Sequence, residues 1–209
     1  MITVVDCGIG NVGSILNMMR HLDIPATSTT DPEQVRTAQK LILPGIGAFD
    51  NGMSRLASHG MIKPLNDAVL GRRTPVLGIC LGMQLLLDSS TEGNLPGLGW
   101  IKGRSVKFDL GTNPDRLRVP HMGWSEITPA RPGQLFPATA SNEPERFYFV
   151  HSYHVQCDSD ADVAGTARHG ITFHAAVERG NIFGVQFHPE KSHRFGMRLL
   201  TSFARVGAC

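Results

Sequence analysis

Three residues of this sequence have the types and spacing to do chemistry together: Cys80, His188 and Glu190. Cys80 is the centre of Gly78-Ile79-Cys80-Leu81-Gly82, where an apolar run at 75–79 meets an apolar helical stretch at 83–87. A nucleophile so placed is presented on a sharp strand-to-helix elbow, and glycines two before and two after it remove side chains that would clash. A thiol at a helix N-terminus is favoured as thiolate by the dipole and the free backbone N–H groups. The Leu81 N–H points to where an oxyanion would form. Such a nucleophile needs a base, and the base an orienting carboxylate. His188 ends the apolar run 182–187, Pro189 stops that strand, and Glu190 can turn back to the imidazole and fix its tautomer. Of the nine histidines, His21 and His59 fall on helical stretches and His169 and His174 in polar, loop-like ones, so structural roles are expected for them. His151 and His154 flank a strand but have no carboxylate close behind. The chemistry these residues can do is acyl transfer onto a thiol.

The elements that must position them alternate in the first half. Residues 2–5 read as a strand, and 11–21 as a helix with Val12, Ile15, Leu16 and Met19 on one face. A weak strand follows at 25–28, then Asp31 as N-cap with Pro32 at the first helical position. Further strands are expected at 40–43 and 75–79, with a helix at 51–70 between them. Continuous apolar strands between helices predict a parallel sheet covered on both faces, and open sheets of that kind bind ligands at the carboxyl ends of their strands. In the second half short strand-like pieces at 105–108, 116–119, 124–127, 147–150, 161–166 and 182–187 alternate with Gly, Pro, Asn and Asp clusters. They predict antiparallel strands added to the parallel core. A helix at 194–206, with Phe195, Leu199, Leu200 and Phe203 on one face, closes a single domain over 1–209.

The bulk numbers exclude several classes. The 209 residues are 41% hydrophobic and 18% charged, as in an ordinary globular chain. A net charge of +2 with no block of Lys and Arg argues against nucleic acid or a membrane surface as partner. The longest apolar runs, such as 74–80, are too short to span a bilayer. No export signal opens the chain, so a cytoplasmic protein with reduced thiols is expected. The four cysteines, Cys7, Cys80, Cys157 and Cys209, are scattered without ligand spacing, so no metal is expected. No organic cofactor is expected either, because hydrolysis by a thiolate needs none.

G-I-C-L-G-M-Q at 78–84 and F-H-P-E at 187–190 resemble the motifs of the class I, triad-type glutamine amidotransferases. Within that family, D-C-G-I-G-N at 6–11, L-P-G-I-G-A-F at 43–49, P-H-M-G-W at 120–124, F-Y-F-V-H-S-Y at 147–153 and H-P-E-K-S at 188–192 resemble the glutaminase subunits of imidazole glycerol phosphate synthases. The resemblance implies a flavodoxin-like α/β fold, a central mostly parallel sheet with helices on both faces and an added antiparallel portion. It implies that Cys80 attacks the side-chain amide of glutamine, His188 moves the proton and Glu190 orients it. Gly45, Ile46 and Gly47 would complete an oxyanion hole with Leu81, and Gln84 would bind glutamine. The implied partner is a (β/α)8-barrel cyclase that takes the ammonia and makes imidazole glycerol phosphate and AICAR in histidine biosynthesis. Trp124, Tyr148, His151 and Lys191 match positions at or near that interface. The loop 44–47 would be the switch, with its oxyanion N–H turned away until the loaded partner docks. Two residues depart from the usual pattern: Cys7 stands for tyrosine and Ser125 for asparagine, both in segments resembling the partner-facing side. They leave open an alternative partner, a sugar amidotransfer system of surface polysaccharide synthesis. A non-catalytic scaffold would be expected to lack a triad member, and none is missing. A cysteine peptidase on the same architecture would not share His-Pro-Glu and Gln84.

Overall fold

The computed structural model describes residues 1–111, 116–137 and 144–207, so Cys209 lies outside the described residues. β1 (Ile2–Val5) leads into α1 (Val12–His21), capped by Asn11, whose side chain accepts from the Ser14 N–H at 3.3 Å. β2 (Ala26–Thr29) leads into α2 (Pro32–Thr37), where Asp31 accepts from the Glu33 N–H at 2.9 Å and Pro32 opens the helix, as expected. After β3 (Leu41–Gly45) the single helix expected over 51–70 is divided. α3 (Phe49–Ser58) ends at a turn whose Gly60 takes φ +65°, and α4 (Ile62–Asn66) widens into a π turn, Asp67–Gly71. Glycine is the residue that adopts this left-handed conformation without strain, so it breaks the run. β4 (Val76–Cys80) passes directly into α5 (Leu81–Gln84). This helix stops short of the expected 87 because Leu86 and Leu87 N–H groups bond three residues back, while the carbonyls of Leu85, Leu86 and Leu87 accept from Leu98, Trp100 and Gly99.

The remaining elements are β5 (Ser89–Ser90), β6 (Gly103–Lys107), β7 (His121–Pro129), β8 (Glu145–His151), β9 (Tyr153–Cys157), β10 (Val163–His169), β11 (Ile171–Arg179), β12 (Ile182–Val185) and α6 (His193–Arg205). No strand forms at 116–119: Arg116 takes φ +51° and Pro120 has no N–H to give a ladder. The piece expected at 161–166 starts as a 3-10 turn, Asp160–Asp162, and becomes strand only at Val163. The main sheet runs β2-β1-β3-β4-β12-β11-β10-β7-β8. β2, β1, β3, β4 and β12 pair in parallel, whereas β11, β10, β7 and β8 are antiparallel additions.

Alternation along each central strand explains why these strands read as unbroken apolar runs. Val4, Ile42, Leu77 and Ile79 pack on one face with Ile15, Met19, Leu199 and Phe203 of α1 and α6. Val5, Leu41, Leu43 and Val76 pack on the other with Val35, Phe49, Leu56 and Leu65. Lys40, buried at the start of β3, donates to the carbonyls of Phe203, Ala204 and Val206 at 3.0, 2.6 and 2.7 Å. Its ammonium thus bonds the carbonyls at the end of α6 and opposes their negative dipole end.

Candidate active site

Register brings the chemistry together. Gly45 pairs with Cys80, and Val185 pairs with Ile79, so β3, β4 and β12 end side by side. His188 follows three residues past β12 and Ile46 one residue past β3. Cys80 occupies φ +55°, ψ −111°, a conformation that a non-glycine residue holds only under constraint. The constraint is close packing around the elbow. A Cβ on Gly82 would lie 1.9 Å from the Leu43 carbonyl oxygen, one on Gly78 2.7 Å from the Gly82 oxygen, and one on Gly45 2.6 Å from the Gly82 nitrogen. The elbow is therefore available only to a sequence with glycine at these places.

Pro189 opens a single 3-10 turn, Pro189–Lys191, which swings Glu190 back so that its Oε1 lies 2.8 Å from His188 Nδ1. Both side chains are almost wholly buried. Burial opposes a charge on His188, but the neighbouring Cys80 and the Glu190 carboxylate outweigh it and hold the imidazole up at about 9. Nδ1 therefore carries a proton towards Glu190. Among the described residues, Nε2 of His188 and Oε2 of Glu190 have no partner at ordinary hydrogen-bond geometry. The ring is fixed from behind. The His188 N–H donates to the Tyr148 carbonyl at 2.9 Å. Ser192, fully buried, donates to the His188 carbonyl at 2.6 Å and accepts from the Tyr148 N–H at 3.0 Å. Sequence reasoning missed Ser192, whose only signal is its place in the turn after His-Pro-Glu.

The thiol and imidazole open on a cavity of about 500 Å3 that also exposes Gln84, Glu92, Tyr153 and Lys191. Gln84 is buried within the site rather than facing solvent, and its Nε2 donates to the Tyr153 carbonyl at 3.2 Å and to Gln186 Oε1 at 3.1 Å. Glu92 was not legible in the sequence, where it is one acid among loop residues. In the fold its Oε2 accepts from the Phe49 N–H at 2.8 Å, which fixes a carboxylate at the start of α3 and on the cavity wall. Leu81, as the first residue of α5, has an N–H with no intrahelical acceptor. The Ile46 N–H donates to the Ile9 carbonyl at 2.5 Å. Gly47 follows at φ +94°.

Beside the cavity mouth the surface is apolar. Ile46, Val119, Met122 and Trp124 are among the exposed large hydrophobic residues, Met122 at 62%. Trp124 stacks on His193 at 5.7 Å and meets Tyr148 edge-on at 6.4 Å, and Lys191 Nζ lies 5.9 Å above the Tyr148 ring. His151 is buried and lines the cavity beneath this face. Its Nδ1 lies 2.7 Å from the Tyr153 carbonyl and its Nε2 3.0 Å from His121 Nδ1, while His121 Nε2 lies 2.8 Å from Ser125 Oγ. Ser125 and Cys7 do not face outward either. Ser125 turns its hydroxyl in towards His121. Cys7 is core, its thiol pushed up to about 11 by burial and Asp6 against the opposing pull of Arg55. A larger apolar groove, about 710 Å3, between α6 and residues 129–137, contains none of the chemistry.

A family model described as glutamine amidotransferase class-I matches residues 3–205. The chain is 47% identical over 205 residues to imidazole glycerol phosphate synthase subunit HisH 2 of Methanococcus maripaludis, covering 98% of this chain and 99% of that one. It is 45% identical over 206 residues to the protein of the same name from Pseudomonas aeruginosa, covering 99% and 100%. Among solved structures, a crystal structure of a glutamine amidotransferase matches with a TM-score of 0.74 over 99% of this chain and 100% of that one. At 18% identity that likeness bears on the fold alone.

Proposed function

The chain belongs to the class-I glutamine amidotransferases, and from that premise we propose that it hydrolyses glutamine to glutamate and ammonia with Cys80, His188 and Glu190. The ammonia goes to a (β/α)8-barrel cyclase subunit of imidazole glycerol phosphate synthase, in the cytoplasm, for the production of imidazole glycerol phosphate and AICAR. The observation that carries this reading is the meeting of a strained, cavity-facing cysteine with a buried His188–Glu190 pair at neighbouring strand ends. Residues 1–209 act as one glutaminase domain, with no metal or organic cofactor.

Glutamine enters the cavity with its α-ammonium towards Glu92 and the Gln84 side-chain carbonyl. The Cys80 thiolate attacks the side-chain amide carbon, and the oxygen takes the charge opposite the Leu81 N–H. His188, held as imidazolium, gives its Nε2 proton to the departing nitrogen, and ammonia leaves a glutamyl thioester. The now neutral His188 draws a proton from water, which attacks the thioester and releases glutamate. Glu190 stabilises the charged ring and fixes its tautomer throughout.

The Ile46 N–H, bonded to Ile9, supports a resting state with a single oxyanion donor. One missing donor of this kind costs roughly 10²–10³ in kcat. Rotation of the Gly45–Ile46 peptide supplies the second donor, and docking of the loaded cyclase on the exposed Ile46–Met122–Trp124 face shifts the loop towards that state. The test is glutamate release from glutamine with and without the cyclase subunit and its nucleotide ligand. Stimulation of a hundredfold or more that vanishes in Cys80→Ala is expected. A rate indifferent to the liganded cyclase would overturn the partner assignment and direct the search to a sugar amidotransfer acceptor. Glutamate release undiminished in Cys80→Ala would overturn the triad.

A further inference from the structure

Gln186 is wholly buried, one residue past β12, in a run that is otherwise apolar. A carboxamide in such a place is costly unless its hydrogen-bonding groups are satisfied, and the partners that satisfy this one lead to the nucleophile. Its Nε2 lies 3.7 Å from Cys80 Sγ, and its Oε1 accepts from Gln84 Nε2 at 3.1 Å. We propose, on the basis of the glutaminase reading, that Gln186 is a positioning residue that holds the Cys80 sulfur through an N–H···S hydrogen bond, and that Gln84 decides which way its amide points.

The orientation follows from a group that cannot be reversed. The Tyr153 main-chain carbonyl only accepts, so the Gln84 atom 3.2 Å from it must be the amide nitrogen. That nitrogen has a second hydrogen, directed at Gln186, so the Gln186 atom facing Gln84 must be oxygen. The remaining atom, the Gln186 nitrogen, is then left towards sulfur. Neither glutamine can flip without setting two donors or two acceptors against each other inside the protein, so the donor is locked onto sulfur.

A donor aimed at sulfur favours the thiolate over the thiol, because a hydrogen bond to a charged acceptor is stronger. It also fixes the side chain of a residue whose backbone is already strained at φ +55°. Gln186 would therefore act on the fraction and the placement of the reactive sulfur, and only secondarily on glutamine binding. Gln84, which lines the cavity and turns its nitrogen towards Gln186, joins the two functions.

The test is alkylation of Cys80 by iodoacetamide as a function of pH, on the full chain with the cyclase subunit bound, in the wild type and in Gln186→Met. Methionine matches glutamine in length and lacks the donor. Alkylation at pH 7 should slow about tenfold. The glutaminase kcat should fall similarly, with KM changed less than threefold. A folded Gln186→Met protein with the wild-type alkylation profile would overturn the proposal, whatever its kcat. If the variant does not fold, the side-chain amide resonances of Gln186 in the wild type provide the second measurement. They should move with the alkylation midpoint and cease to do so in Cys80→Ala, and pH-independent resonances would overturn the proposal. Alkylation needs no glutamine turnover, so failure of the glutaminase reading would show separately, as absent glutamate release in the wild type.

Discussion

His188 shows how much one residue's surroundings decide. Its hold on a proton up to about 9, against burial, comes from Cys80 and Glu190. A general acid so tuned is charged at neutral pH and loses its proton only in alkali, so kcat/KM should fall as pH rises through about 9. An alkaline limb near the ordinary histidine value, in a pH profile of the cyclase-bound enzyme, would refute the pairing. Ser192 is the second test at this scale. Ser192→Ala leaves the His188 carbonyl and the Tyr148 N–H each without its hydroxyl partner, which should cost about 2–3 kcal/mol in denaturant unfolding. It should also lower kcat more than it raises KM. Cys80, His188 and Glu190 were legible because the glycine spacing and His-Pro-Glu are distinctive local patterns. Those that support them were less so. Glu92 and Ser192 act through main-chain partners, 43 residues away at Phe49 and 44 at Tyr148. Gln186 left one readable trace, a carboxamide inside an apolar strand.

At the scale of elements, the parallel half could be read because each of its strands is covered on both faces and is apolar throughout. The antiparallel half was harder. β9 follows β8 after Ser152 alone and β11 follows β10 after Gly170 alone, so adjacent strands merge in the sequence. At 116–119 composition suggested a strand that an αL residue and a proline forbid. The pair β7–β8 also carries a buried polar line with its own pH signature. Tyr153 can only accept, so His151 Nδ1 donates to it. His121 Nδ1 then donates to His151 Nε2, and the Ser125 hydroxyl donates to His121 Nε2. This order requires both rings neutral. Burial, with His169 adding to it at His121, lowers His121 to about 4. At His151 burial outweighs the opposing Tyr153 bond and, helped by the other rings, lowers it to about 3. Both values lie below the unfolded 6.5, so the unfolded chain binds more protons and stability falls as pH drops from 6.5 towards 4 and 3. The loss should be on the order of 3 kcal/mol from each ring by pH 4. Thermal melts of His151→Phe should show a shallower acid slope than the wild type, and equal slopes would count against the line.

At the scale of the molecule, an apolar rim flanks the cavity mouth, with Trp124 held by His193 and Tyr148. Exposed aromatic residues of this kind dominate docking energy, so Trp124→Ala should weaken cyclase binding by at least about 2 kcal/mol, roughly thirtyfold in Kd. Calorimetric titration would measure it, and an unchanged Kd would move the interface elsewhere. The strand order has one more consequence. β12 comes late in the chain yet lies between β4 and β11, and it delivers His188 to Cys80. Lys40 likewise finds its acceptors only in the last turn of α6 and just beyond it. A ribosome making this chain therefore exposes Cys80 long before His188 and Glu190 exist, and the sheet stays split until β12 emerges. Chains truncated before His188 should therefore release no glutamate from glutamine, sparing the cell's supply.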